Sequence, residues 1–348
     1  MSTRTARHEL VVDVSAALAF GDEVNTISAD VHVPAGRPRA VLVCWPGGSY
    51  DRSYWDAQID GHPGYSAAEH LVGQGFVVVN ADHLGVGRSS KPADADRVDV
   101  ETMAAANNAF AREVRRRLVA GELDEGLPAT GDVPFVGVGH SLGGLICVVA
   151  QAQHGTYDAV ANLGYTAGSK DVLEADEPDA GAGADAARRA AEEQAAAFFG
   201  DTWEQGYSVA PREPNHAWLH AESVPAAVVA ADDRTVAAWP RQSYVDGLLQ
   251  GFTAPYAAKV TAPVLLAFGD RDIPARPRDD AGFYTAAADI TVLTLPDSAH
   301  CHNFASSRRL AVGPARALGG GRRRLAARPR GLSARAAGYS CTTGLSNL

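Results

Sequence analysis

The chain has 348 residues, 46% hydrophobic and 21% charged, with 35 Gly, four Cys and a net charge of −10. That composition supplies apolar material for one large α/β domain or two smaller ones. It excludes a collagen, a disulfide-stapled miniprotein and a wholly disordered chain. No stretch reaches about 18 apolar residues, so no transmembrane helix is expected. From Arg308 to Leu348 there are nine Arg and no Lys, Asp or Glu, which leaves 22 basic and 41 acidic groups in the rest. An acidic body argues against nucleic-acid binding, because phosphate affinity needs clustered Lys and Arg.

Cys44, Cys147, Cys301 and Cys341 show no C-x-x-C spacing. Reduced, packed thiols are expected, most plainly for Cys44 and Cys147, which lie inside apolar runs. Met1–Leu10 carries Arg4 and Arg7, but the apolar stretch after it is broken by Asp13. That is no signal-peptide pattern, so a cytoplasmic protein is expected.

Val11–Val14 and Ile27–Val33 read as two antiparallel-type strands, short and β-branched. Ala40–Trp45 is a continuous apolar run, as a strand buried on both faces should be, and Pro46-Gly47-Gly48-Ser49 ends it as a loop. Tyr65–Gly75 reads as a helix stopped by glycines, Phe76–Ala81 as the next buried strand and Val100–Leu118 as a long helix. The Arg115-Arg116-Arg117 patch on that helix reads as a solvated face. Pro134–Gly139 is a strand, Leu142–Gln153 a helix ended by Gly155, and Ala159–Leu163 a further strand. From Gly168 to about Lys259 the chain is acidic, Ala-rich and helix-prone, with no clear βα repeat. The strand pattern resumes at Pro263–Phe268 and Ile290–Leu295. The expected fold is α/β: a mainly parallel central sheet with helices on both faces and a helical cap insertion. The expected divisions are 1–167 and 260–312 for the two parts of the core, 168–259 for the cap and 313–348 for a basic tail.

Gly139-His140-Ser141-Leu142-Gly143 is a G-x-S-x-G that directly follows a strand and opens a helix. That setting demands small residues on either side of a tight turn, which lifts the Ser hydroxyl clear of the sheet edge. It also puts the Leu142 N–H at a helix N-terminus, where it can stabilise an oxyanion. A serine hydroxyl needs a base oriented by a carboxylate to act as a nucleophile. After the strand at 263–268 comes Gly269-Asp270-Arg271-Asp272, and after the strand at 290–295 comes Pro296-Asp297-Ser298-Ala299-His300. Both candidates therefore follow strand ends, on the same sheet edge as Ser141.

Over about residues 8 to 310 the chain resembles the α/β-hydrolase superfamily. The resemblance is carried by the GHSLG elbow, the WPGGSY loop after the third strand, DHLGVGRSS after the fourth, and the final GDRD and SAH segments. It implies a serine hydrolase that cleaves a carboxylic ester or thioester through an acyl-enzyme, with Ser141 as nucleophile, His300 as general base and Asp272 as orienting acid. Asp272 fits the family's G-x-x-D count from Gly269; Asp270 is its rival, and Asp171 a rarer variant after the sixth strand. The implied oxyanion hole pairs the backbone N–H groups of Gly48 and Leu142. Many relatives carry His-Gly where this chain has Pro46-Gly47-Gly48, but the backbone donor is retained. The resemblance implies no cofactor or metal, and a small, apolar ester or thioester as partner. Asp82 and His83 are expected to belong to a structural turn.

Alternatives remain: a non-catalytic ligand-binding protein on the same fold, or a lactonase, C–C hydrolase or perhydrolase using the same triad. His302 reads as structural or surface. His216 and His220, at i,i+4, lack the glutamate of a zinc motif and read as surface or packed residues. Trp203, Tyr207, Trp218, Trp239 and Tyr244 could line a substrate pocket or pack the cap. The Arg-rich tail reads as a disordered extension, a product of a shifted reading frame near Arg308, or a segment for an anionic partner.

Overall fold

Continuous apolar runs become the interior of one sheet. The computed structural model describes residues 6–125, 127, 129–130, 133–168, 184–199, 206–273 and 277–311. Asp171, Trp203, Cys341 and the basic tail lie outside them.

Eight strands form the sheet: β1 (Ala6–Asp13), β2 (Thr26–Val33), β3 (Val41–Trp45), β4 (Val77–Ala81), β5 (Phe135–His140), β6 (Ala159–Leu163), β9 (Val264–Gly269) and β10 (Ile290–Leu295). Their order is β1-β2-β4-β3-β5-β6-β9-β10. β2 pairs antiparallel with both β1 and β4, and every other pairing is parallel. The expected mainly parallel sheet is thus present. β3, β4, β5, β6 and β9 are buried along their whole length. Edge strand β1 alternates instead, with Leu10 and Val12 buried and Val11 exposed, the period of a strand covered on one face.

The helices are α1 (Ala67–Gly73), α2 (Val100–Ala120), α3 (Leu142–His154), α4 (Ala184–Phe199), α5 (His216–Leu219), α6 (Ala226–Asp233), α7 (Arg241–Leu248), α8 (Ala254–Ala257) and α9 (Arg308–Ala311). Ser66 caps α1 by accepting from the Glu69 N–H, and Asp99 caps α2 by accepting from the Thr102 N–H. Strand alternation distributes the core between two layers. Val41, Val43 and Trp45 pack with α2 and α3 residues such as Phe110 and Ile146, while Leu42 and Cys44 pack with Leu71 and Val72 of α1. Arg116 and Arg117 pair with Glu113, and Arg115 with Asp158, as a solvated face allows.

The segment between β6 and β9 departs from a purely helical expectation. It holds α4 to α8, and also a two-rung antiparallel ladder of β7 (Tyr207–Ser208) and β8 (Trp239–Pro240). Two rungs are too short to leave a periodic signal in sequence. α9 begins only at Arg308, because 302–304 is a 3₁₀ turn drawn inward: the Asn303 amide donates to the Tyr54 carbonyl at 3.0 Å. Among the described residues no helix is long and apolar enough to cross a membrane.

Candidate active site

Parallel strands put their carboxyl ends on one edge of the sheet, and the loops there converge. β5 ends at His140 and α3 starts at Leu142, so the whole turn falls on Ser141. Ser141 takes φ 52° and ψ −124°, a backbone state that costs an L-residue on the order of 1–3 kcal/mol. Its N–H donates to the Leu163 carbonyl at 2.7 Å and its carbonyl accepts from Gly144 at 2.7 Å, which hold the turn. The flanking glycines are packing requirements. A Cβ on Gly139 would lie 2.3 Å from the Gly143 carbonyl oxygen, and one on Gly143 would lie 2.3 Å from that of Pro46.

The loops after β9 and β10 complete a hydrogen-bonded chain. Ser141 Oγ lies 2.8 Å from His300 Nε2, and His300 Nδ1 lies 2.7 Å from Asp272 Oδ1. Asp272 is buried and receives four donors. Oδ1 accepts from His300 and from the Ile273 N–H at 2.8 Å; Oδ2 accepts from His302 Nε2 at 2.7 Å and from the Gly269 N–H at 3.0 Å. Burial alone would raise its pKa, but the two imidazoles outweigh burial and hold it well below the usual carboxylate range. An anion that only accepts requires N–H on both facing nitrogens. With His300 neutral, Nε2 then keeps a lone pair for the serine proton, which is the arrangement of a general base and a nucleophile.

Asp270 goes elsewhere. Its oxygens accept from the backbone N–H groups of Asp297 and Ser298, so it caps the loop after β10. Gly48 and Leu142 line the same cavity as Ser141 and His300. Neither backbone N–H meets a protein acceptor among the described residues. His83 sits behind this loop, its Nε2 donating to the Pro46 carbonyl at 3.2 Å while Asn107 donates to Nδ1. Burial pushes the His83 pKa down to about 3, so it is a neutral prop. Asp82 accepts from the Arg52 and Arg88 N–H groups, a turn as expected.

Sequence reasoning missed two features of the site. His302 sits beside His300 on Asp272; its signal was a second histidine two residues on. His140, between the glycine and serine of the elbow, donates from Nε2 to the His300 carbonyl at 2.8 Å, and burial pushes its pKa well below the ordinary value. Cys301 is buried with its Sγ 3.1 Å from the Tyr50 hydroxyl. Of the aromatic candidates, Trp218 and Tyr244 line the cavity. Trp239 is buried against His83 and Tyr244, and Tyr207 packs by Lys91. His216 and His220 pair with Asp233 and Asp232. Among the described residues no cluster of three or more side chains suited to a metal is found.

The sequence profile of the alpha/beta hydrolase family matches residues 42–312. The chain belongs to that family. This alpha/beta hydrolase is similar in structure to a thermophilic esterase from Thermogutta terrifontis, with a TM-score of 0.60 at 15% identity over 89% of this chain and 98% of that one. It is also similar to the thioesterase domain from the curacin biosynthetic pathway (TM-score 0.53, 17% identity, 88% of this chain and 98% of that one). A proline iminopeptidase from Mycobacterium smegmatis aligns with a TM-score of 0.53 and 18% identity, over 91% of this chain and 97% of that one. At such identities the likeness is one of fold. No curated protein sequence matches the chain closely enough to count as a relative.

The elbow's tightness is testable apart from activity. Gly143→Ala should cost about 3 kcal/mol, because the added methyl meets a fixed backbone carbonyl rather than a side chain that can turn away. A fall in the urea midpoint at unchanged slope measures it.

Proposed function

We propose that this alpha/beta hydrolase is a serine hydrolase of neutral carboxylic esters or thioesters, acting through an acyl-enzyme. The observation that carries the reading is the unbroken hydrogen-bonded chain from Ser141 through His300 to Asp272. Ser141 Oγ attacks the carbonyl carbon while His300 Nε2 takes its proton. The oxyanion is received by the N–H groups of Gly48 and Leu142. His300 returns the proton to the leaving alcohol or thiol, then activates the water that releases the acid. Asp272 fixes the imidazole tautomer and stabilises the imidazolium. The strain kept at Ser141 supports an enzyme over a binding protein, since strain of this kind persists where geometry serves chemistry. In this reading residues 168–259 form a cap over the core.

The pocket supports an apolar, uncharged substrate. Its walls include Leu142, Tyr165, Trp218, Leu219, Leu248 and Ile273. Among the described residues that line it, the one Arg or Lys, Arg212, has its donors committed to Ser49, Asp232 and Thr235. The cavity measures about 100 Å³, on the scale of a ligand with few heavy atoms. Across p-nitrophenyl esters and uncharged N-acetylcysteamine thioesters of graded length, kcat/KM should peak at acetyl to butyryl and fall at least about tenfold by decanoyl, since a chain too large for a packed cavity must displace its walls. A profile rising to decanoyl refutes the small pocket.

Ser141→Ala should lower kcat by a factor on the order of 10⁶ with the fold intact. A variant keeping a tenth of the activity would sink the assignment.

The two aspartates separate cleanly. Asp272→Asn favours the wrong imidazole tautomer and should cost about 10⁴ in kcat. Asp270→Asn disturbs only a surface cap and should cost less than about tenfold. Steady-state kinetics of both variants decide, and the reverse ranking would move the acid to Asp270.

A further inference from the structure

The turn that carries Gly48 is not held by its own residues alone. The Tyr50 N–H donates to the Gly47 carbonyl at 3.1 Å, closing a four-residue turn with Gly48 and Ser49 at its centre. Ser49 takes φ 64°, at a turn position where the left-handed region normally selects Gly or Asn. A serine stays there only if its surroundings over-determine it.

They do so from one side. The Ser49 N–H donates to the Tyr244 hydroxyl at 2.7 Å. The Ser49 carbonyl accepts from Arg212 Nη2 at 2.7 Å and from the Ala237 N–H at 2.8 Å, and Ser49 Oγ accepts from Arg212 Nε at 3.3 Å. All three partners belong to the segment between β6 and β9. Arg212 is itself fixed: Nη1 donates to Asp232 Oδ1 at 3.0 Å and to the Asp232 carbonyl, and the guanidinium lies 3.6 Å over the Tyr50 ring. Tyr50 closes the loop by donating from its hydroxyl to Asp232 Oδ2 at 2.8 Å. The Tyr244 ring also presses on the glycine, since a Cβ on Gly48 would lie 2.6 Å from Tyr244 Cε1.

We propose that Tyr244 and Arg212 are positioning residues that hold the Ser49 peptide in its left-handed turn and so aim the Gly48 N–H at the oxyanion. The inference rests on the esterase reading above. It makes the inserted segment part of the rate machinery as well as a wall of the pocket. Without the Tyr244 hydroxyl the Ser49 N–H is left buried and unpaired, and the turn relaxes toward an unstrained φ that no longer presents Gly48. The substrate's ground state, with its neutral carbonyl, loses little; the oxyanion loses a donor.

The test is Tyr244→Phe, which keeps the ring and deletes the acceptor. With p-nitrophenyl butyrate, kcat should fall about 10- to 100-fold, below the full effect of deleting an oxyanion donor, and KM should stay within about twofold. Affinity for a trifluoromethyl ketone, which forms the tetrahedral adduct, should fall by the same factor as kcat, while butyrate inhibition holds and the variant stays folded with a melting temperature lowered only by the loss of one buried hydrogen bond. Arg212→Lys, which keeps the charge beside Asp232 but loses the fork on Ser49, should show the same split and stands in if Tyr244→Phe fails to fold. Wild-type kcat in a folded variant overturns the proposal, and so does a loss that falls in KM alone. Ser141→Ala run alongside separates the failures. If it stays active, the esterase reading falls; if it is dead while both variants match wild type, only the positioning role falls.

Discussion

The site is organised around one buried anion. A carboxylate with almost no solvent exposure is expensive, and Asp272 tolerates burial because four N–H groups converge on its two oxygens. Each donor comes from a place the fold must fix. Gly269 ends β9, Ile273 follows the carboxylate itself, and both imidazoles stand on the loop after β10. A missing donor would leave the charge under-solvated, so the two loops are bound to a single geometry. That geometry sets where His300 Nε2 points, and hence where Ser141 Oγ must be.

Three non-glycine residues among those described have positive φ: Ser49, Ser141 and Asp297. All lie in loops after β3, β5 and β10, at the carboxyl edge of the sheet. Each is held by hydrogen bonds from outside its own turn: Ser49 by Arg212 and Tyr244, Ser141 by Leu163, and Asp297 by Asp270, Ser223 and Ser306. The strain is thus distributed over the loops that meet around the cavity. The regular sheet below, with its fully buried strands, supplies the stability that offsets it.

Much of the fold was legible because a doubly covered strand has nowhere to put a polar residue. Ala40–Trp45 and Pro263–Phe268 read as buried strands for that reason, and the observed strands there are buried throughout. The elbow was legible because only a Gly-flanked residue fits between Leu163 and Pro46. His300 and Asp272 stood out as candidates because they follow strand ends, and the choice of Asp272 over Asp270 rested on the family's G-x-x-D count from Gly269. What sequence did not carry are contacts between distant segments. Arg212 to Ser49 spans 163 residues, and His83 to the Pro46 carbonyl joins two loops whose spacing has no rule. His302 was visible as a residue and opaque as a partner, because the turn at 302–304 decides which way its ring faces. The ladder of β7 and β8 was missed because two rungs have no period.

The same charge accounting constrains what the pocket can accept. Asp232 is answered by Arg212, Tyr50 and His220, and Asp272 by its four donors. Both of these buried carboxylates are thereby matched within the protein, and the described cavity wall presents chiefly carbon. A charged substrate would have to shed its hydration there with no counter-charge to meet it, at a cost of several kcal/mol. A neutral ester does not incur that cost on entering. On the proposed pathway charge appears only at the tetrahedral intermediate, as an oxyanion beside two N–H groups that meet no acceptor among the described residues and an imidazolium beside Asp272. Both halves of the ion pair then form where the protein has already placed their partners. A site matched in its ground state but open to that one pair favours the transition state over the substrate, which is the condition for raising kcat.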